Sequence, residues 1–98
     1  MAAHHNPAGV DLAGKLQLKP GIEFSLVFVK DAAELDEATT RLVHSASRGA
    51  LTWVAYPKAG KLGTDLNRDI VRETLEPRGA RTVRQISIDE TWSALRLR

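Results

Sequence analysis

Apolar and polar positions alternate along residues 22–29, and this alternation predicts the first strand of the chain. The apolar residues on one face of that strand are Ile22, Phe24, Leu26 and Phe28. Because Val27 and Val29 fill the opposite face, the end of the strand is expected to be covered on both sides. A second strand is predicted over residues 51–56, an unbroken apolar and aromatic run that closes at Pro57. Such a run is typical of an interior parallel strand.

Two other stretches follow the helical period. The first helix is predicted to open at Asp31, because Glu34 three residues later makes a variant of the capping box. Its apolar side consists of Leu35, Ala38, Leu42, Val43 and Ala46. The second helix is predicted to begin at Thr64 or Asp65 and to stop at residues 77–79, which contain proline and glycine. Its apolar side consists of Leu66, Ile70, Val71 and Leu75.

The end of the chain predicts a hairpin. Residues 81–88 form a strand whose apolar phase slips between Val83 and Ile86, which indicates a bulge or an edge position. Residues 89–90 turn the chain, and residues 92–97 return as an antiparallel strand. The alternation along this strand places Ser93, Leu95 and Leu97 on one face and Trp92, Ala94 and Arg96 on the other. The predicted fold class is therefore α/β: a small mixed sheet built from a parallel strand-helix-strand-helix-strand unit plus a C-terminal antiparallel strand, as in a Rossmann-like fragment.

Length and composition describe one ordinary globular domain. The 98 residues are 43% hydrophobic and 27% charged, with no apolar run long enough to span a membrane. Residues 1–20 are polar and interrupted by glycine and proline, so they are predicted to form a loose N-terminal arm, with a single α/β domain over residues 21–98. The chain contains no cysteine and shows no secretory signal, which favours a cytoplasmic location and no membrane association.

The net charge gives little information about binding partners. The net charge is only +2, too small to indicate nucleic-acid binding without a local basic patch. The candidate patch is a strip of C-terminal arginines: Arg78, Arg81, Arg84, Arg96 and Arg98. Protection of a sheet edge by solvated charge explains these arginines better than a nucleic-acid contact does.

The loop after the second strand is the best candidate for a binding site. Ligands of α/β proteins often bind just past the carboxyl end of a strand, and lysines, flexible glycines and a helix N-terminus together favour an anion there. The candidate ligand-binding residues are Lys58, Gly60, Lys61, Gly63, Thr64 and Asp65. The spacing is not that of a phosphate-binding P-loop, and the carboxylates of Asp65 and Asp69 would repel a phosphate. A solvated connector is the favoured interpretation, with a small anionic ligand as the alternative.

No constellation of residues points to catalysis. The serines lack the nucleophile-elbow motif, and Asp89, Glu90 and Trp92 are explained by a hairpin turn and sheet packing. The arginines Arg68 and Arg72 are interpreted as partners of helical ion pairs. The three histidines have no further ligand at a spacing suited to a metal, so no metal site is predicted. These features leave an enzymatic role uncertain and favour a protein that is not an enzyme.

Several motifs resemble an uncharacterised bacterial family, a domain of unknown function with members in actinobacteria and proteobacteria. The matching motifs are Tyr-Pro-Lys at 56–58, Gly-Thr-Asp-Leu-Asn-Arg-Asp at 63–69 and Ile-Asp-Glu-Thr-Trp-Ser-Ala-Leu-Arg at 88–96, with shorter matches at 15–16, 19–21 and 26–29. The order of elements, ending in an antiparallel hairpin, also resembles the C-terminal half of a Rossmann-like methyltransferase. The family resemblance implies no activity.

The chain departs from that family at its beginning. Family members pass through an earlier strand before the strand that corresponds to residues 22–29, whereas here Gly21 leads directly into it. The first glycine-rich turn and the acidic ribose contact are therefore missing, so no cofactor is predicted. The strand that remains is expected to have one unpaired edge, which would favour a homodimer joined along residues 22–29 or coverage by the arm.

Three functions are left open by the sequence. A small non-catalytic interaction or accessory domain is favoured. The alternative is a binder of a nucleotide or an S-adenosylmethionine-type ligand that uses the loop of residues 58–65. A weak nucleic-acid contact through the C-terminal arginines is the second alternative.

Overall fold

The computed structural model describes residues 23–98. The predicted N-terminal arm, residues 1–20, lies outside the described residues. The elements follow in the order β1 (Phe24–Phe28), α1 (Ala32–Ser47), β2 (Leu51–Pro57), α2 (Arg68–Leu75), β3 (Thr82–Ser87) and β4 (Trp92–Leu97). Two short 3-10 turns, Lys61–Gly63 and Glu76–Arg78, lie before and after α2. The predicted α/β class is thereby confirmed at the level of one mixed sheet with two helices.

The four strands form one sheet in the order β1-β2-β4-β3. β1 pairs with β2 in parallel, with Leu26 opposite Trp53. β4 is antiparallel to both of its neighbours, β2 and β3. β2 is therefore interior, as predicted, and all seven of its residues are buried. The prediction that it lies among parallel strands is wrong on one side, because the C-terminal hairpin inserts β4 between β2 and β3.

Two reciprocal hydrogen bonds cap the N-terminus of α1, and they involve Asp31 and Glu34, the two residues of the predicted capping box. Asp31 Oδ1 accepts the backbone N–H of Glu34 at 2.9 Å. In return, Glu34 Oε1 accepts the backbone N–H of Lys30 at 2.6 Å, one residue before the cap. The helix ends before Gly49, whose φ of 84° is a left-handed conformation that glycine adopts without strain.

The start of α2 differs from the prediction. The helix begins at Arg68, because Asn67 rather than Thr64 or Asp65 is its N-cap. Asn67 Oδ1 accepts the backbone N–H of Ile70 at 2.9 Å. Val71 and Leu75 of α2 are buried and Ile70 packs against the core, as predicted, whereas Leu66 is buried in the loop before the helix. The wrong start has a simple cause: Thr, Asp and Asn are all good N-caps, and the pattern alone does not choose among them.

Both helices pack on the same face of the sheet. The core between them contains Val54 and Tyr56 from β2 and Leu95 and Leu97 from β4, together with buried residues of the helices. The opposite face carries a second apolar cluster centred on Trp53. Strand β3 lies at one edge of the sheet and has an irregular register between Thr82 and Arg84, which confirms the predicted bulge or edge position.

Candidate functional site

The loop from residue 58 to residue 67 leaves β2 at its carboxyl end and returns to α2. Gly60 and Gly63 have φ values of 81° and 67°, so both require a conformation that side chains other than glycine rarely adopt. Leu62 between them is also left-handed, with φ 54° and ψ 24°, and is 60% exposed. Leu62 is the only non-glycine residue with positive φ among residues 23–98.

Thr64 and Asp65 connect this loop to Lys30, between β1 and α1, and to the start of α1. Thr64 Oγ1 donates to the carbonyl of Lys30 at 2.6 Å and accepts the N–H of Leu66 at 3.0 Å. Asp65 Oδ1 accepts the N–H of Ala32, the first residue of α1, at 2.9 Å. These contacts join residues more than thirty positions apart and give both side chains a structural function. They stabilise the start of α1 through the loop that precedes α2.

Two backbone amides of the loop donate to carbonyls of the loop itself and are not free to bind an anion. The N–H of Lys61 donates to the carbonyl of Lys58, and that of Thr64 donates to the carbonyl of Lys61. The N-terminal amide of α2 at Ile70 is used by the Asn67 cap. A ligand role for Gly60, Lys61, Gly63, Thr64 and Asp65 therefore stays a prediction, whereas Lys58 lies in a defined cleft.

That cleft has a volume of about 340 Å³ and lies between the start of α2 and the β3-β4 hairpin. Its floor is formed by two buried side chains, Tyr56 and Ser93, which are directly opposite each other on β2 and β4. The rim is more exposed and consists of Lys58, Ala59, Asn67, Arg68, Gln85 and Ser87. Among the residues that the structure describes, the lining contains two cations and no carboxylate.

The two cations of the rim are held by neutral groups. Lys58 Nζ donates to Ser87 Oγ at 2.7 Å, so the lysine reaches across the end of β4 to β3. Arg68 Nη1 lies 3.5 Å from Gln85 Oε1, at the long limit of a hydrogen bond. The adjacent carboxylate, Asp69, pairs with Arg72 at 3.2 Å. The prediction that Arg72 belongs to a helical ion pair is thus confirmed, while Arg68 points its charge towards the cleft lining.

Tyr56 at the floor of the cleft has an unusual hydroxyl group. The residue is 2% exposed, and its Oη is buried without a hydrogen-bond partner in the described structure. Burial raises the pKa of Tyr56 above its ordinary value of 10.0, while the nearby Arg68 cation opposes this rise and Asp69 adds to it. A protonated hydroxyl that lacks an acceptor in a buried position costs free energy, and a ligand acceptor would offset that cost.

Of the lining residues, the sequence indicates Lys58 as a ligand-binding residue and Arg68 only as a partner of a helical ion pair. Tyr56 and Ser93 were interpreted as parts of strands, and Ser87 and Gln85 carried no signal. What joins them is register: Ser87 on β3 and Tyr56 on β2 both lie opposite Ser93 on β4. Alternation along each strand could have placed these polar groups on one face, but the neighbour relationship depends on the order of strands in the sheet.

The other candidates from the sequence have structural explanations. Asp89 Oδ1 accepts the N–H groups of Thr91 and Trp92, each at 2.8 Å, which confirms the hairpin turn. The Trp92 ring meets Phe28 edge to face with centroids 5.1 Å apart. Arg84 and Arg96 lie opposite each other on neighbouring strands, as the predicted arginine strip requires. In the range 23–98 there is no cluster of three acidic or histidine side chains suited to a metal, and no helix with the length and apolar character needed to cross a bilayer.

Comparison of the chain with protein-family models, curated proteins and solved structures gives no match. The resemblances to a bacterial family and to half of a methyltransferase thus stay predictions.

Proposed function

We propose that this protein is a non-catalytic binding domain whose cleft holds a small anionic ligand that carries a phosphate or carboxylate group. The observation that carries the proposal is the buried hydroxyl of Tyr56, which lacks a partner at the floor of a cleft whose rim carries Lys58 and Arg68. A ligand oxygen at this position would accept from the tyrosine and lie between two cations. This proposal joins the accessory-domain interpretation of the sequence with its small-anion alternative.

The chemistry of the lining supports an anion over a cation or an apolar group. Lysine, arginine and a protonated tyrosine are all donors, and charged donors make stronger hydrogen bonds to anions than to neutral acceptors. The present partners of the cations, Ser87 and Gln85, are neutral. Exchange of these acceptors for an anionic oxygen therefore strengthens both contacts. The volume of the cleft lies at the lower end of the range for small-molecule sites.

The same lining supports binding rather than proton transfer. A general base must be deprotonated near neutral pH, and burial moves the pKa of Tyr56 in the opposite direction. The tyrosine is then a fixed donor at physiological pH. We also propose that the protein is bacterial and cytoplasmic and is similar to the family named above. If the ligand is a nucleotide, its phosphate would lie in this cleft.

Backbone amide shifts of the full chain during titration with inorganic phosphate test this function. Sodium chloride at matched ionic strength controls for screening. We expect saturable shifts at residues around the cleft, including Tyr56, Arg68, Ser87 and Ser93. Separate titrations with ATP, S-adenosylmethionine and a short RNA distinguish the alternatives. An RNA contact through the arginine strip would shift the amide signals of residues 81–98 and leave those at the start of α2 unchanged.

Two lysine variants make the test specific. Lys58→Met removes a cation from the cleft, whereas Lys61→Met removes the same charge from the exposed loop outside it. We expect Lys58→Met to weaken phosphate binding by about 10-fold or more, the equivalent of one charged hydrogen bond, and Lys61→Met to change it by less than about threefold. Equal effects of the two variants, or shifts that do not saturate, would reject the cleft as the site.

A further inference from the structure

Strand β1 lies at one edge of the sheet and, among the described residues, pairs only with β2. Val29, just after this strand, turns its backbone to β2, because its N–H donates to the carbonyl of Ala55 at 2.9 Å. Successive residues of a strand direct their backbone groups to opposite sides. The N–H and C=O groups of Phe24, Leu26 and Phe28 therefore point away from β2, where they form a template for a further strand.

The two edges of the sheet differ in their protection against such pairing. β3, at the opposite edge, has an irregular register and exposes the charged side chain of Arg84. β1 is regular over Phe24–Phe28, and this range contains no proline and no charged residue. Both of its phenylalanines are about half exposed, at 49% and 48%. Irregularity and charge commonly prevent association between sheet edges, so β1 is the edge that is open to a partner.

The open edge is symmetric about Leu26. The strand reads Phe-Ser-Leu-Val-Phe, so a phenylalanine lies two residues to each side of this leucine and on the same face of the sheet. A two-fold axis perpendicular to the sheet at Leu26 would place Phe24 opposite the partner's Phe28, and Phe28 opposite the partner's Phe24. The outward backbone groups of the two copies would then pair through about six hydrogen bonds. The cross-strand phenylalanine pairs would add favourable contacts.

The charges beside this edge have the same symmetry. A cleft of about 360 Å³ lies between β1 and α1, and its lining includes Val27, Glu37 and Arg41. Glu37 and Arg41 are exposed and lie one turn apart on the helix. The axis at Leu26 makes the two copies of α1 antiparallel, which brings Glu37 of each copy towards Arg41 of the partner subunit. Unlike charges thus match across an interface between identical chains.

We propose that the protein is a homodimer in which two β1 strands pair antiparallel about Leu26 and extend the sheet through both copies. A second copy fits this edge better than an unrelated peptide does, because the phenylalanines and the charges are both self-complementary, as a two-fold interface requires. No residue of β1 lines the cleft proposed to hold an anion, so dimer formation does not depend on that function.

Sedimentation of the full chain over a range of concentrations measures the dissociation constant of the dimer. Glu37→Arg and Arg41→Glu should each weaken the dimer by about 10-fold, because each variant sets like charges against each other. The double variant restores unlike pairs and should return to within about threefold of the original affinity. Glu73→Arg, on the exposed side of α2, is the matched control and should change nothing. A monomer at every concentration, or a double variant no tighter than the single variants, would overturn the proposal.

Cysteine cross-linking tests the register. The chain contains no cysteine, so Leu26→Cys introduces one thiol per copy. In the proposed dimer the two thiols are directly opposite each other, at a Cα separation of about 5.5 Å that allows a disulfide. Ser25→Cys is the control, because position 25 would lie opposite the partner's Val27. Under mild oxidation we expect linked dimers from Leu26→Cys and few from Ser25→Cys. Equal linking of the two variants would overturn the proposed register.

Amide hydrogen exchange of the unaltered protein provides a test without substitutions. The amide of Val27 is directed to β2 and should be protected in both monomer and dimer. The amide of Leu26 should be protected only in the dimer, so its exchange should slow as the protein concentration rises. Fast exchange at Leu26 under conditions in which sedimentation shows a dimer would place the interface elsewhere and overturn the proposal.

Discussion

Lys58 Nζ and Ser87 Oγ lie 2.7 Å apart, and their contact joins the loop after β2 to the far edge strand of the sheet. The lysine spans the end of β4, because β4 lies between β2 and β3. It lines the same cleft as Arg68 at the start of α2. The proposed anion site depends on this geometry and not on the glycines of the loop.

Tyr56→Phe separates the stability of the domain from its ligand binding. Since the buried hydroxyl has no partner, its removal should leave the free energy of unfolding unchanged or raise it by about 1 kcal/mol. The same variant should weaken phosphate binding by about 5-fold to 10-fold, because a neutral donor is lost from the floor of the cleft. Urea unfolding and phosphate titration measure the two effects. A loss of stability greater than about 1 kcal/mol would show that the hydroxyl is hydrogen-bonded in the folded protein.

The burial of Tyr56 predicts that the stability of the domain depends on pH, and one spectroscopic signal can follow the ionisation of this tyrosine. It is the only tyrosine in the chain, so phenolate absorbance reports on it alone. Desolvation raises the folded-state pKa above 10.0, the value expected after unfolding. The stability linked to this group is then fully present below pH 10.0 and is lost as the pH rises through the folded-state pKa. A titration midpoint at or below 10.0 in the native protein would contradict the assigned burial.

The left-handed backbone of Leu62 leads us to expect that glycine at this position stabilises the loop. Its left-handed backbone is strained for a side chain with a Cβ atom, and the exposed side chain contributes little burial. Leu62→Gly should therefore be more stable than Leu62→Ala by about 1 kcal/mol, because alanine keeps the strain. Thermal unfolding of the two variants measures the difference. Equal stability would mean that the backbone of the loop is not held in this conformation.

Asp65→Ala tests the connection between the loop and α1. The variant leaves the N–H of Ala32 without its acceptor and should lower the free energy of unfolding by about 1 kcal/mol. Asp36→Ala is a suitable control, since Asp36 is an exposed carboxylate on α1 and its loss should cost less than about 0.5 kcal/mol. If both variants cost the same in chemical denaturation, the contact contributes nothing beyond surface charge.

The local elements of the fold could be predicted because their signals are local. Asp31 and Glu34 marked the start of α1, and the structure confirms this start. The alternation along residues 92–97 assigned each side chain of β4 to the correct face, with Leu95 in the core under the helices and Ala94 on the opposite face. The start of α2 could not be chosen in this way, because Thr64, Asp65 and Asn67 all suit an N-cap. In the folded protein the side chains of Thr64 and Asp65 bind Lys30 and Ala32 instead, and Asn67 caps the helix.

The helical and strand periods, the start of α1 and the hairpin turn could thus be read from the sequence, since these depend on residues a few positions apart. The insertion of β4 between β2 and β3 is visible only in the folded sheet, because strand order depends on contacts between residues far apart in the chain. That order brings Tyr56, Ser87 and Ser93 into one row and brings Lys58 within reach of Ser87. The candidate site is therefore a product of sheet register, which the spacing of residues along the chain does not encode.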